Sequence, residues 1–382
     1  MLNRRLFLGA GCLGTLAFAM PFRISFAQTA ATNKRFIFII QRGAADGLSM
    51  IAPLADPALT QLRGPLLENA ASGMQLDKLF HLHPAMAEIG KLYQSSHALF
   101  AHAIASNYRN QSHFDGQNIL ESGGTFAYAE KTGWLNRLTS QLSPNQNKSL
   151  AIAQVIPMAM RGAAPISNYA PAQIPVASED LLKRVSQMYQ QDKLLNASWN
   201  GALKKRELID DVQGESGKVM GELACRLMTP DDGTRIMMIE TGGWDTHSAQ
   251  TQRLNVQLKN LDQLIFSIKN GLGNIWNNTL VIVATEFGRT VAINNTGGTD
   301  HGTASSAMLF GGGMIRGGRV IADWPGLNPE QLLNKRDLKP TLSLESLIVS
   351  SLAEHYQMDP QQLAKGLYPG LKDLKLMEAV LG

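Results

Sequence analysis

The stretch RFIFIIQRGAADGLSM, residues 35–50, decides how the rest of the chain is read. Residues 36–40 are all apolar, and Gly43 and Asp46 follow within a few positions. A strand with one wet face would alternate apolar and polar residues. An unbroken β-branched and aromatic run instead fits a strand buried on both faces, as in a parallel sheet. The same signature recurs in ALFAHAIA (98–105), LAIAQVIP (150–157), RIMMIE (235–240), TLVIVATE (279–286) and SAMLFGG (306–312). Helical patterns lie between these runs. Residues 178–228 are charge-mixed with Leu and Met at helical spacing. Residues 248–272 place Leu254, Leu258, Leu261, Leu264 and Ile265 on one face, with Gly271 as the expected stop. RGAAPISNYAPAQIPVASED (161–180) reads as a long loop. Strands alternating with helices predict an α/β, doubly wound, mostly parallel sheet flanked by helices. No repeat or linker divides the chain, so residues 28–382 read as a single domain.

The first residues stand apart. MLNRRLFLGAGCLGTLAFAM joins a basic head to an apolar stretch, and SFA at 25–27 is a small-x-small cleavage site. Residues 1–27 therefore read as an export signal rather than a membrane span, and Arg4 and Arg5 before LFL resemble a twin-arginine signal. GAGCLG at 9–14 matches the dinucleotide fingerprint, but no strand precedes it and no phosphate-binding helix follows. The formal charge of +4 falls to +1 on removing the leader, which holds Arg4, Arg5 and Arg23 and no acid. No basic stripe remains to imply nucleic acid. Cys12 leaves with the leader, so Cys225 has no intrachain partner. Gly9 before Cys12 makes a poor lipidation site.

In a parallel sheet, functional groups collect beyond the carboxyl ends of strands. Asp46 follows the first apolar run. Arg109, Ser112, His113 and Asp115 follow the second, Asp245 and His247 follow RIMMIE, and Glu286 and Arg289 follow TLVIVATE. Asp300 and His301 precede SAMLFGG. Each has an ordinary structural reading: Asp as helix cap or turn former, His as hydrogen-bonder, Glu286 with Arg289 as a rim ion pair. Together, carboxylates and imidazoles at the ends of different strands form the ligand set of Zn²⁺ or Mn²⁺. His81, His83, His97, His102 and His355 read as structural, and Trp244 as packing under the site.

FIIQRGAADGLSMIAP, SHFDGQNILESG, GGWDTH, ATEFGRT and GTDHG, in this order, resemble the DUF1501 family of exported bacterial proteins, itself similar to the alkaline phosphatase and sulfatase superfamily. The resemblance implies an alkaline-phosphatase-like fold with one or two divalent ions at the carboxyl edge of the sheet, Zn or Mn, beside a nucleophile. By that resemblance Asp46, Asp245, His247, Glu286 and His301 are metal ligands and Ser112 is the nucleophile. Arg109 or Arg289 binds the anion. Phe287 stands where the superfamily has a ligand His, and His113, Asp300 or Arg289 are candidates to fill the gap. The implied function is a periplasmic or secreted metal-dependent hydrolase of phosphate or sulfate esters, acting on a small or polymeric anionic ester and partnered in export by the twin-arginine machinery. The alternative is a non-catalytic exported binding protein that keeps one metal or none. A serine hydrolase of the α/β type is disfavoured, because no G-x-S-x-G elbow occurs in the chain.

Overall fold

The structure, a computed structural model, describes residues 33–142, 148–169, 179–207, 214, 216–313 and 316–382. The leader read at 1–27 lies outside the described residues, as does the stretch 170–178. The strands are β1 (Arg35–Gln41), β2 (Ile51–Ala52), β3 (His81–Leu82), β4 (Ala98–Ala105), β5 (Ser149–Ile152), β6 (Ile166–Tyr169), β7 (Ile236–Thr241), β8 (Thr279–Ala284), β9 (Ser305–Phe310), β10 (Arg319–Ile321) and β11 (Leu342–Ser343). Nine of them form one sheet in the order β10-β4-β9-β8-β1-β7-β5-β6, with β11 beside β4. Within it β9 runs antiparallel to both neighbours, β4 and β8. The other pairings are parallel. β2 and β3 form a separate antiparallel pair.

β1 shows why its sequence does not alternate. Ile37 and Ile39 enter a core with Leu258 and Leu261 on one side of the sheet. Phe36, Phe38 and Ile40 enter a second core with Trp134 and Leu347 on the other. The Phe38 and Trp134 rings meet edge-on at 5.1 Å. Both faces are covered by helices, so positions 36–40 of the strand are all apolar.

The helix Gln250–Leu272 buries Leu254, Leu258, Leu261, Leu264 and Ile265. It ends two residues later than expected: Gly273, with φ +51, is where the chain leaves the helix. Gly271 stays helical for a packing reason, since a Cβ there would sit 2.6 Å from Cys225 Sγ. The stretch 178–228 divides into helices Glu179–Tyr189, Lys193–Glu207 and Gly217–Met228. The loop expected over 161–180 contains β6, which pairs in parallel with β5 at the sheet edge. Its polar Ser167 and Asn168 give it no apolar signature.

His102 occupies an irregularity in the β4–β9 register, and the next residue, Ala103, has φ +53. Its ring is fully buried. Nε2 faces the carbonyls of Gly47 (3.2 Å) and Ile51 (3.0 Å), while Nδ1 accepts from the Ala103 N–H at 2.7 Å. That arrangement needs the neutral ring, because protonated Nδ1 would confront another N–H. Burial pushes the His102 pKa down to about 4. The unfolded chain takes up this proton near pH 6.5 and the folded chain only near 4, so stability is complete above 6.5 and is lost as pH falls through that window. The loss from this group is about 3 kcal/mol at pH 4. Denaturant titrations at several pH values should show His102→Gln less stable than the parent at pH 7.5. That gap should narrow steadily toward pH 4.5.

Candidate functional site

Parallel strands β1, β7 and β8 present their carboxyl ends at one sheet edge, and antiparallel β9 is entered from that same edge. The connections there carry the polar residues of interest. His113 opens the helix His113–Ser122 after β4, while Asp245 and His247 follow β7. Glu286 follows β8, and Asp300 and His301 lead into β9. Two glycines make the approach possible. Gly43 has φ +119, and a Cβ on it would lie 2.6 Å from the Asp245 backbone nitrogen. Gly243 has φ +83, and a Cβ there would meet the Gln257 amide at 2.4 Å.

The structure brings Asp245, His247 and His301 together and adds His113. Asp245 Oδ1 lies 3.0 Å from His247 Nε2 and 3.3 Å from His301 Nε2. The two Nε2 atoms are 2.9 Å apart, and Asp245 Oδ2 is 3.5 Å from His113 Nε2. Behind each ring stands an acceptor. His113 Nδ1 pairs with Glu286 Oε1 at 2.8 Å, His247 Nδ1 with Asp300 Oδ1 at 3.2 Å, and His301 Nδ1 with the Gln111 carbonyl at 2.9 Å. An acceptor at Nδ1 keeps the proton on that nitrogen. Three Nε2 lone pairs therefore converge on one carboxylate, an arrangement that repels itself unless a cation or a proton lies among them. His113 Nε2 is buried with no hydrogen-bond partner.

The donor set fits a metal ion of the zinc type. Zn–N bonds of about 2.0–2.1 Å place tetrahedral ligand atoms about 3.3 Å apart, close to the 2.9–3.3 Å separations among His247 Nε2, His301 Nε2 and Asp245 Oδ1, while His113 Nε2 faces the other carboxylate oxygen at 3.5 Å. Three imidazoles and one carboxylate suit Zn²⁺ better than Mn²⁺, which favours oxygen ligands. Carboxylate or carbonyl partners behind metal-binding imidazoles are the usual means of fixing tautomer and orientation. Among the described residues, His113, Asp245 and His301 offer ligand atoms that all lie within 4.8 Å of one another, and His247 Nε2 lies within 3.0 Å of both Asp245 Oδ1 and His301 Nε2.

The charges follow from the contacts. Burial would raise the Asp245 pKa, but the Arg289 hydrogen bond and charge, with His247 and His113, hold it below the ordinary value. Glu286 is likewise kept low against burial by hydrogen bonds from His113, Gln117 and Gly43. The Glu286 hydrogen bond raises His113, whereas burial lowers His301.

The remaining sequence candidates are placed differently. Glu286 is fully buried, its Oε1 taken by Gly43 N, Ala44 N, His113 and Gln117 and its Oε2 by Thr285, so it stands behind His113 instead of facing an ion. Asp300 stands behind His247 in the same way. Asp46 is outside the cluster: its Oδ2 accepts from Arg63, from Gln250 and from Ser49 Oγ at 2.6 Å. The buried Arg63 cation overrides the burial that would raise its pKa and keeps it low. Arg109 is exposed, and its Nη1 donates to the Ser106 and Tyr108 carbonyls. Arg289 is buried against the cluster, donating from Nη1 to Asp245 Oδ1 at 2.8 Å, with Nη2 unpartnered. Ser112 caps the helix His113–Ser122, accepting from Asp115 N at 3.5 Å. Phe287 stacks on the His113 ring, centroids 5.0 Å apart at 24°. An aromatic ring thus backs the imidazole where a ligand was expected. The sequence placed His113 after the second apolar run and offered it, with Asp300 and Arg289, for the gap at Phe287, but gave no sign of Gln111 or Gln117.

The profile of the family described as "Protein of unknown function (DUF1501)" matches residues 121–367. No curated protein matches the chain. Solved structures similar to it include the zinc complex of the C-terminal periplasmic domain of EcEptC from Escherichia coli, at 7% identity over 75% of this chain and 74% of that one, TM-score 0.37. Alkaline phosphatase from the Antarctic bacterium TAB5 is similar at 12% identity over 75% and 94%, TM-score 0.37. The phosphoglycerol transferase GacH of Streptococcus pyogenes, in complex with sn-glycerol-1-phosphate, is similar at 8% identity over 88% and 78%, TM-score 0.39. Likeness this loose bears on neither the activity nor the ligand of the chain.

Proposed function

The chain belongs to the DUF1501 family, and on that footing we propose that it is an exported, metal-dependent hydrolase of phosphate or sulfate esters built around one zinc-type ion. One observation carries the reading: the Nε2 atoms of His113, His247 and His301 converge on the Asp245 carboxylate while their Nδ1 atoms are held from behind. A divalent ion held there would polarise an ester oxygen and offset charge developing on it. Glu286, Asp300 and the Gln111 carbonyl orient the three rings. Arg289 neutralises Asp245 and leaves Nη2 for an anionic oxygen once the site rearranges. Ser112, at the positive end of its helix and next in sequence to His113, is the proposed nucleophile. Export rests on the leader sequence. No helix among the described residues is long and apolar enough to cross a membrane.

Metal-loaded wild type and Ser112→Ala should be assayed on nitrophenyl phosphate, bis-nitrophenyl phosphate and nitrophenyl sulfate, with metal content measured alongside. Loss of the nucleophile should lower kcat by roughly three or more powers of ten with metal content unchanged. Near-normal turnover by Ser112→Ala would remove the covalent route. Absence of turnover by the loaded wild type on all three esters would leave the second reading, a binding protein. That reading draws on Arg289, whose Nη1 already occupies the carboxylate oxygen nearest to two of the imidazoles.

A further inference from the structure

Beside the cluster, at the same sheet edge, lies a cleft of about 360 Å³ between the ends of β5 and β7 and the helices Gly217–Met228 and Gln250–Leu272. Its size is that of a small-ligand site. Partly buried Met220 and the almost fully buried Ile152, Trp244 and Leu261 supply its apolar lining, and Gln154, Gln257 and Asn260, whose side chains end in amides, line it as well. Glu240 is the one charged residue in the lining.

Two features join this cleft to the cluster. Trp244 immediately precedes Asp245 in the chain. A line of hydrogen bonds also connects them: Arg42 donates from Nε to Glu240 Oε1 at 3.2 Å and from Nη1 to Gln117 Oε1 at 2.9 Å. Gln117 Nε2 then donates to Glu286 Oε1 at 3.1 Å, the same oxygen that holds His113. Arg42 is not free to bind an anion, because Glu240, Gln117 and Glu121 already occupy its guanidinium.

A second phosphate, sulfate or carboxylate in the cleft would find no counter-charge and would face Glu240. An amide both donates and accepts, as a hydroxyl does, and apolar walls suit the C–H faces of a ring. We propose that the cleft binds a neutral saccharide unit, the hydroxyl-bearing part of the ester whose anionic end meets the cluster. Only its description as part of an ester rests on the hydrolase reading; binding of the sugar does not.

Saturation-transfer NMR on the full chain, with the methyl glycosides of glucose, galactose and N-acetylglucosamine and with glucuronate as the charged control, tests this. At least one neutral glycoside should receive saturation and glucuronate should not. Gln257→Leu and Asn260→Leu should each raise Kd on the order of tenfold, the scale of one lost hydrogen bond, at unchanged metal content. Gln154→Ala, at an exposed position, serves as the variant least able to disturb folding. The proposal is overturned if no neutral glycoside binds, if glucuronate binds equally well, or if all three folded variants bind like wild type. Failure of the hydrolase reading would look different: glycoside binding intact, with no metal held or no ester turned over.

Discussion

His301→Ala, purified as the full chain and dialysed against a weak chelator, is expected to retain almost no zinc where the wild type retains about one ion per chain. The reason is geometric. His301 Nε2 lies 2.9 Å from His247 Nε2 and 3.3 Å from Asp245 Oδ1, so its removal takes the imidazole that stands among the other ligand atoms and leaves His113, His247 and a carboxylate already paired to Arg289. The contrast with the residues behind the rings makes the prediction specific. Asp300→Asn and Glu286→Gln keep a hydrogen-bond acceptor at Nδ1 but remove the charge that makes each imidazole a better ligand, an effect of about 10–100-fold in affinity. Competition titration with a chromophoric chelator should therefore rank His301→Ala and Asp245→Ala well beyond that range and the two conservative variants within it. Equal losses across all four would mean that the cluster responds to general unfolding, which circular dichroism on the same samples detects. If wild type takes up no zinc at all, the convergence of the rings is held by protons and by Arg289, and the binding-protein reading replaces the hydrolase.

The parts of this arrangement legible in the sequence are those in which the cause is local. The apolar run of β1 has no polar gap because the sheet is covered on both faces, and that cause leaves its mark at every position. β6 lies at the sheet edge, where no second neighbour demands apolar residues, so Ile166–Tyr169 reads as loop. Asp245 and His247 share one short turn beside a strand, and His301 directly leads into another; strand ends in a parallel sheet converge, so their meeting could be foreseen. The role of Glu286 could not. Whether a buried carboxylate faces an ion or the back of an imidazole depends on which residue, 173 positions away in the chain, puts its Nδ1 2.8 Å from Oε1. Phe287 illustrates the same limit from the other side: read as a missing ligand, it is the ring on which His113 stacks.

Arg63→Met should destabilise the fold by about 3–5 kcal/mol, the cost of leaving a buried ion without its partner. Asp46 is 1% exposed and Arg63 is fully buried, so neither charge has water to fall back on. Arg63 also donates from Nε to the Val291 carbonyl at 2.7 Å and from Nη2 to the Thr290 carbonyl, tying the helix Pro57–Arg63 to the segment after β8. Asp46 would keep only Ser49 and Gln250 as donors, both neutral. Asp46→Asn alone strands the cation instead and should cost a similar amount. The double variant Asp46→Asn/Arg63→Met removes both charges, so its loss should fall well short of the sum of the two, and urea unfolding of the four proteins measures the coupling. The same series decides between two roles for Asp46. As half of a buried ion pair it governs stability and leaves zinc content untouched while the protein is folded. As a metal ligand it would show the reverse: Asp46→Asn depleted of metal, and the two single losses adding in the double variant, since a metal ion would then supply the charge that Arg63 supplies here.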